Sequence, residues 1–278
     1  AFEGAQISSG QRAAPGAIER VRIDRETLEP RFRIIGSELW SDEPGFAAVS
    51  SELGVSGICG SGIVEVIAEL FLAGVISADG IIDGSLAERT PRIVPDGRTF
   101  SYVLHDGEPR IVVTQNDVRA IQLAKAALYA GARLLMDHAG IDAVDEVRLA
   151  GAFGSQIDPL HAMVLGLIPD CDLDRVKAAG NSAGTGALIA LLSAAARREI
   201  EDVTRTVEKI ETAVEPRFQE HFVDALAFPN KRAAFPNLER RIDLPKRTDS
   251  AAGDGARRAE RGERRRRREV AAASRNRP

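Results

Sequence analysis

Val147-Arg148-Leu149-Ala150-Gly151-Ala152-Phe153-Gly154 is the stretch that decides the fold class of this chain. A short apolar run ending in glycines suits a buried strand that delivers a phosphate or adenosine ligand to backbone amides. Asp158-Pro159 follows, a capping residue and a residue suited to the first helical position, so strand, glycine loop and helix start stand in order. A second unit of the same kind comes next. Val176-Lys177-Ala178-Ala179 reads as a strand, and Gly180-Asn181-Ser182-Ala183-Gly184-Thr185-Gly186 turns into an apolar helix expected over residues 187–196. Two glycine turns at the ends of successive strands would line one cleft, which makes nucleotide binding the leading function.

Upstream, the pattern predicts a strand pair over residues 17–23 and 32–35, bracketing the polar Asp24-Arg25-Glu26 turn. Gly57-Ile58-Cys59-Gly60-Ser61-Gly62 then leads into a helix with Ile63, Ile67, Leu70 and Phe71 on one face and Gly74 as its stop. Asp96-Gly97 and Asp106-Gly107 separate three β-rich runs at 92–94, 100–104 and 110–113, a three-stranded antiparallel meander. Thr114 and Asp117 resemble a capping box, and Val118, Ile121, Ala124, Leu128, Ala132 and Leu135 make a helical stripe ending near Gly140. Meander, helix, strand, helix, strand, helix is the ribonuclease H-like order of an actin-like ATPase half. Beyond residue 201 the pattern weakens to a strand at 207–210 and a short helix at 217–227.

The 278 residues, 44% of them hydrophobic, suffice for one large domain or two modest ones. No run approaches the roughly 20 apolar residues that span a bilayer, because glycines, Glu65 and Glu69 interrupt residues 58–76. No leader pattern opens the chain, so a cytoplasmic location without membrane contact is expected. The first residue is Ala1 and the only methionines are Met136 and Met163, so the chain reads as a fragment. Cys59 and Cys171 stand far apart with no CxxC and no histidine at ligand spacing, which leaves two reduced core thiols and no metal site. The net charge of −4 hides an asymmetry, because residues 246–278 carry +7 and residues 1–245 carry −11. The expected boundary is therefore at 245, with a disordered basic tail beyond it. The arginine run 264–268 has no interleaved aromatics and no folded reader around it, which favours a solvated tail over nucleic-acid contact.

Each candidate site has a plainer explanation beside the functional one. Gly151–Gly154 suits ligand approach or tight strand–helix packing equally. Asn181, Ser182 and Thr185 add hydrogen-bonding side chains around Gly180 and Gly184 that a tight turn alone does not require. Gly60, Ser61 and Gly62 open a helix whose amides and dipole suit an anion, without the lysine or spacing of a Walker loop; packing explains them at least as well. Cys59 lacks a basic neighbour that would make it a nucleophile. Glu3 and Asp158 are carboxylates suited to orienting metal-bound water, although Asp158 reads first as a helix cap. His105, His138, His161 and His221 share no spacing, and packing accounts for them.

Taken in order, Ala1-Phe2-Glu3-Gly4-Ala5, Arg12-Ala13-Ala14-Pro15-Gly16-Ala17-Ile18, Gly57-Ile58-Cys59-Gly60-Ser61-Gly62, Leu149-Ala150-Gly151-Ala152-Phe153-Gly154, Ile157-Asp158-Pro159 and Gly180-Asn181-Ser182-Ala183-Gly184 resemble one family. It is the ATP-dependent reductive activators of corrinoid proteins, within the actin-like, sugar kinase and heat-shock ATPase superfamily. The resemblance covers about residues 1–245 and implies a partial ribonuclease H-like actin-type ATPase fold. It also implies ATP with Mg as cofactor at the glycine turns, a corrinoid protein of a methyltransferase or demethylase system as partner, and a 2Fe-2S cluster in an N-terminal part. Family members carry Asp-Ile-Gly-Thr phosphate turns upstream of the Ala-Phe-Glu-Gly block; neither these nor the cluster cysteines occur here, so the chain alone is expected to be inactive. A small-molecule kinase on the same fold and a non-catalytic interaction domain are the competing functions, and a homodimer is left open.

Overall fold

Apolar and polar residues alternate through the first strand pair, β1 (Ala17–Ile23) and β2 (Pro30–Ile34), which run antiparallel with Ile18 opposite Ile34 and Ile23 opposite Pro30. The structure is a computed structural model and describes Phe2, Gly4 and residues 6–245. Glu3 and the arginine-rich tail, with the expectations attached to them, lie outside the described residues. Ile18, Val21, Phe32 and Ile34 are buried, and Arg20, Arg22, Arg31 and Arg33 stand between them. A two-residue strand, β3 (Gly57–Ile58), pairs parallel with Ala17 and Ile18, giving the order β2-β1-β3. The helix α1 (Phe46–Leu53), which the sequence pattern did not announce, occupies the connection from β2 to β3.

Because β3 is so short, the outer edge of β1 beyond Ile18 would present bare amides. The next helix, α2 (Gly60–Leu72), supplies carboxylates in place of a strand. Glu65 accepts from the Val21 amide at 2.9 Å and Glu69 from the Ile23 amide at 3.0 Å. The remainder of α2 is apolar and buried from Ser61 to Ala68 without interruption. It ends at Ala73, with Gly74 at φ 72° as the expected stop.

The meander forms as β4 (Ile93–Asp96), β5 (Thr99–His105) and β6 (Ile111–Thr114), in the order β4-β5-β6. Thr114 caps the long helix α3 (Gln115–Ala139) through a reciprocal box: its hydroxyl accepts from the Asp117 amide, and Asp117 accepts from the Thr114 amide. The helix ends at Gly140, φ 65°. Its buried stripe departs from the expected one. Leu128 and Leu135 are 53% and 60% exposed, while the buried row runs through Val118, Ile121, Gln122, Lys125 and Tyr129. Lys125 and Gln122 are buried because their donors have acceptors: Lys125 Nζ donates to the carbonyls of Ala227 and Pro229, and Gln122 Nε2 to that of Leu226.

β7 (Val147–Ala150) leads through one helical turn, α4 (Gly151–Gly154), to α5 (Pro159–Leu165) and then to β8 (Val176–Gly180). β7 and β8 pair parallel as a sheet of their own among the described residues, not hydrogen-bonded to the meander. The helix expected over 187–196 starts earlier and breaks sooner. It is α6 (Ser182–Leu192), capped by Asn181, followed after Ser193 by α7 (Ala194–Thr206). Residues 207–210 form no strand, having no ladder partner. α8 (Pro216–Asp224) packs on α3, where Asp137 meets His221 at 2.7 Å and Arg133 at 3.0 Å. Asp170 then caps α9 (Pro236–Glu239), accepting from the amides of Asn237 and Leu238.

Candidate functional site

Parallel strands place both of their carboxyl ends on one side of the sheet, and that is where ligands of open α/β folds bind. Ala150 at the end of β7 stands opposite Gly180 at the end of β8, so the two predicted glycine turns are neighbours. Gly151 has φ 94° and Gly180 φ 63°, conformations that a side-chain-bearing residue adopts at a cost. No atom lies within 4 Å of where a Cβ would stand at either glycine. Here the glycines serve backbone shape and leave open space above it.

Gly154 is different. A Cβ there would stand 2.9 Å from the carbonyl carbon of Leu149, so its lack of a side chain is explained by packing against β7. The same holds for the start of α2. A Cβ on Gly60 would lie 2.4 Å from the Phe2 carbonyl oxygen and 2.6 Å from the Phe153 ring, and one on Gly62 would lie 2.3 Å from the Ile18 carbonyl oxygen. Ser61 and Cys59 are buried with their side-chain Oγ and Sγ 3.3 Å apart. At Gly60 and Gly62 the Cβ positions are taken by protein, which accounts for the two glycines by packing, the plainer of the two readings of this helix start. Phe153 stacks on Phe2 at 6.1 Å between ring centroids and lies over Gly60, which brings this helix start against the Gly151 turn.

The hydrogen-bonding side chains of the second turn are largely used locally. Asn181 Oδ1 accepts from the Gly184 amide at 3.0 Å, and the Ser182 hydroxyl donates to the Ala179 carbonyl at 3.1 Å. Asn181, Ser182, Ala183 and Gly184 are nevertheless exposed, as are Ala152 and Phe153. The three glycine segments thus share one neighbourhood, with the two strand-end turns accessible and the α2 start packed beneath Phe153.

Behind the Gly151 turn lies a network that the sequence did not announce. Asp158 caps α5, accepting from the His161 amide at 3.0 Å and facing His161 Nδ1 at 2.8 Å. His161 Nε2 lies 2.7 Å from Glu69. Glu65, fully buried, pairs with Arg20 at 2.8 Å and Arg22 at 2.6 Å, and Arg20 also donates to the Gln156 carbonyl at 3.0 Å. Burial pulls the His161 pKa down, but hydrogen bonds to Asp158 and Glu69 and the charges of Asp158 and Glu65 push it up to about 9. Burial raises the Asp158 carboxyl, but its contacts with His161 hold it at about 2.

Glu65, Asp158 and His161 offer ligand atoms within 4.8 Å of one another. Both His161 nitrogens face carboxylate oxygens and Glu65 is held by two guanidiniums, so the trio's contacts are those of an ion-pair network. Asp158 is a cap and ion-pair partner here, the helix-cap reading that Asp158-Pro159 favoured in the sequence. The signals that could have found the network are a carboxylate pair, Glu65 and Glu69, inside an apolar helix, and the cap spacing Asp158 to His161. Cys59 and Cys171 are both free and buried.

A meander, a long capped helix and two parallel strands ending in adjacent glycine turns define an actin-like ATPase domain of the ASKHA class, a class that binds nucleotide. Residues 1–239 match the family described as the C-terminal domain of RACo, the ASKHA domain, and the chain belongs to that family. Over 235 residues it is 36% identical to the corrinoid activation enzyme RamQ of Eubacterium limosum, spanning 80% of this chain and 37% of RamQ. The solved structure of a reductive activator for corrinoid, iron-sulfur protein matches with TM-score 0.69 and 33% identity, over 82% of this chain and 35% of that one. The chain therefore spans little more than a third of the length of these relatives. Among the described residues no helix is long and apolar enough to cross a membrane.

Proposed function

We propose that this chain is the nucleotide-binding C-terminal part of a reductive activator, in which ATP hydrolysis drives the return of a corrinoid protein's Co(II) to Co(I). The partner is a corrinoid protein, which the names of the relatives support, and the family resemblance makes it one of a methyltransferase or demethylase system. The observation that carries the nucleotide site is the pairing of Ala150 with Gly180, which sets two positive-φ glycines side by side with open space above both. Gly151, Ala152 and Phe153 form one lip of the site; Gly180, Asn181, Ser182 and Gly184 form the other. Gly154 and Gly60-Ser61-Gly62 fix these lips from below by packing. When bound, MgATP supplies the free energy of hydrolysis that the uphill one-electron reduction requires. The electron comes from a 2Fe-2S cluster in the part of the protein outside this chain.

The test compares MgATP binding by calorimetry in the full-length protein and in its Gly151→Val variant. A valine there strains the backbone and fills the open space, so binding should be lost while circular dichroism stays parental. Parental affinity in the folded variant would remove Gly151 from the nucleotide site. Gly154→Val is the wrong probe, because it clashes with Leu149 whether or not nucleotide binds.

A further inference from the structure

We propose that His161 is a positioning residue for the Gly151 turn, a doubly donating imidazolium that clamps the segment 151–158 to α2; this rests on that turn being the nucleotide site. The geometry requires two donors. One ring nitrogen faces Asp158 at 2.8 Å and the other faces Glu69 at 2.7 Å, and a neutral imidazole carries only one N–H. The side chains of His161 and Glu69 are 2% and 12% exposed, so the contact between them is not exchanged cheaply for water.

The charges that meet there come from three elements: Arg20 and Arg22 on β1, Glu65 and Glu69 on α2, Asp158 and His161 at α5. With His161 protonated the six groups sum to zero. A neutral His161 leaves one carboxylate uncompensated and one of its two contacts without a hydrogen. The network holds the turn from both ends of its exit: Arg20 ties the Gln156 carbonyl to Glu65, and His161 ties Asp158 to Glu69. Ser155 closes the turn, donating to the Gly151 carbonyl from its amide at 3.1 Å and its hydroxyl at 3.0 Å, and Gln156 N donates to the Phe153 carbonyl at 3.0 Å, so the exit of the turn is set by where residues 156–158 are held. Nucleotide bound at Gly151 would thereby meet a turn already fixed against α2, with its ordering cost settled in advance.

Amide hydrogen exchange of the nucleotide-free chain tests this, comparing the parent with His161→Gln and with His161→Gln/Glu69→Gln. The double variant removes the uncompensated buried charge and is expected to restore the parental unfolding midpoint. Peptides spanning 151–157 should nevertheless exchange about tenfold faster in both variants, with β1 and α2 unchanged. Parental exchange at 151–157 in a double variant that melts like the parent would show that His161 only balances charge, and the proposal fails. If the buried substitutions do not fold, Asp158→Asn keeps a cap acceptor and weakens the imidazolium contact; faster exchange at 151–157 supports the clamp and parental exchange overturns it. No arm contains nucleotide, so the outcome is independent of ATP binding at the turn, which is read separately as ATP-dependent protection of the same peptide in the full-length protein.

Discussion

Two helices of this molecule start alike and end in opposite environments. α2 and α6 both follow a strand and a glycine-containing turn, and both are strongly apolar, yet eleven residues of α2 are buried and none of α6 is. Leu188, Leu191 and Leu192 of α6 are 55%, 72% and 76% exposed. The contrast extends to their glycines: Gly62 of α2 has the Ile18 carbonyl in its Cβ position, whereas Gly186 of α6 has nothing within 4 Å. Apolar composition therefore states that a helix face requires cover, and only neighbouring elements decide whether it receives any. In α2 the cover is so complete that its two carboxylates act as surrogate strand acceptors. In the β7–β8 unit Val147, Leu149 and Val176 pack on the core while Arg148, Lys177 and α6 remain exposed, and Gly151 and Gly180 have open space at their Cβ positions.

The largest effect should come from the buried side. Glu65→Ala strips Arg20, Arg22 and the Val21 amide of their acceptor at once. Removing one partner from such a buried network costs about 3–5 kcal/mol. Leu191→Ala, the matched truncation on α6, should change stability by less than about 0.5 kcal/mol. Urea melts of both variants check the pair; comparable losses would erase the distinction between the two helices.

The next effect is a pH dependence on the α2 side. His161 has its pKa raised from 6.5 to about 9 in the fold. Its contribution is therefore complete below about pH 6.5 and is lost as pH rises through about 9, an effect on the order of 2–3 kcal/mol. Asp158, lowered from 3.8 to about 2, contributes above its ordinary value and loses that contribution as pH falls through about 2. Denaturant melts between pH 6 and 10 should show the alkaline loss in the parent and a flatter profile in His161→Gln. A parental stability unchanged up to pH 10 would mean the imidazolium is absent.

Smaller, and of opposite sign, are the two glycine substitutions. Gly62→Ala drives a methyl into the Ile18 carbonyl, and overpacking of this kind costs about 1–3 kcal/mol. Gly186→Ala meets open space inside a helix and should stabilise by about 0.5–1 kcal/mol. Thermal unfolding of the two variants side by side gives the signs directly, and a stabilising Gly62→Ala would refute the packing account of the α2 start.

Local chemistry was what the sequence made legible. The strand pair around Asp24, the meander turns, the Thr114–Asp117 box, the Gly140 stop and the Asp158-Pro159 helix start all depend on residues a few positions apart, and they form where expected. What depended on distant partners was not legible. Gln122 and Lys125 displaced the expected α3 stripe because their acceptors are carbonyls some hundred residues further on. Residues 207–210 have strand-like composition but no partner strand. Among the site residues, the adjacency of the Gly151 and Gly180 turns followed from the strand order. The division of labour among the glycines did not, because sequence spacing cannot tell open space from a carbonyl 2.3 Å away. His161 was invisible as a lone histidine and acquires its role only from Glu69 across the α2–α5 contact.

The last prediction concerns α6 and has the smallest effect on stability. Leu191 and Leu192 are mostly exposed at the end of a helix with no buried residue, so charging them removes no packing. Leu191→Glu/Leu192→Glu should shift the unfolding free energy of the chain by no more than about 0.5 kcal/mol. It should alter association instead, because contiguous exposed leucines together with Leu188 and Ile189 form a patch that water covers poorly. Sedimentation velocity over a range of concentrations should show self-association of the parent and a monomer for the double variant. A loss above about 1 kcal/mol in the variant exceeds what exposed positions sustain; it would show α6 packed in solution and would close the gap between α6 and α2.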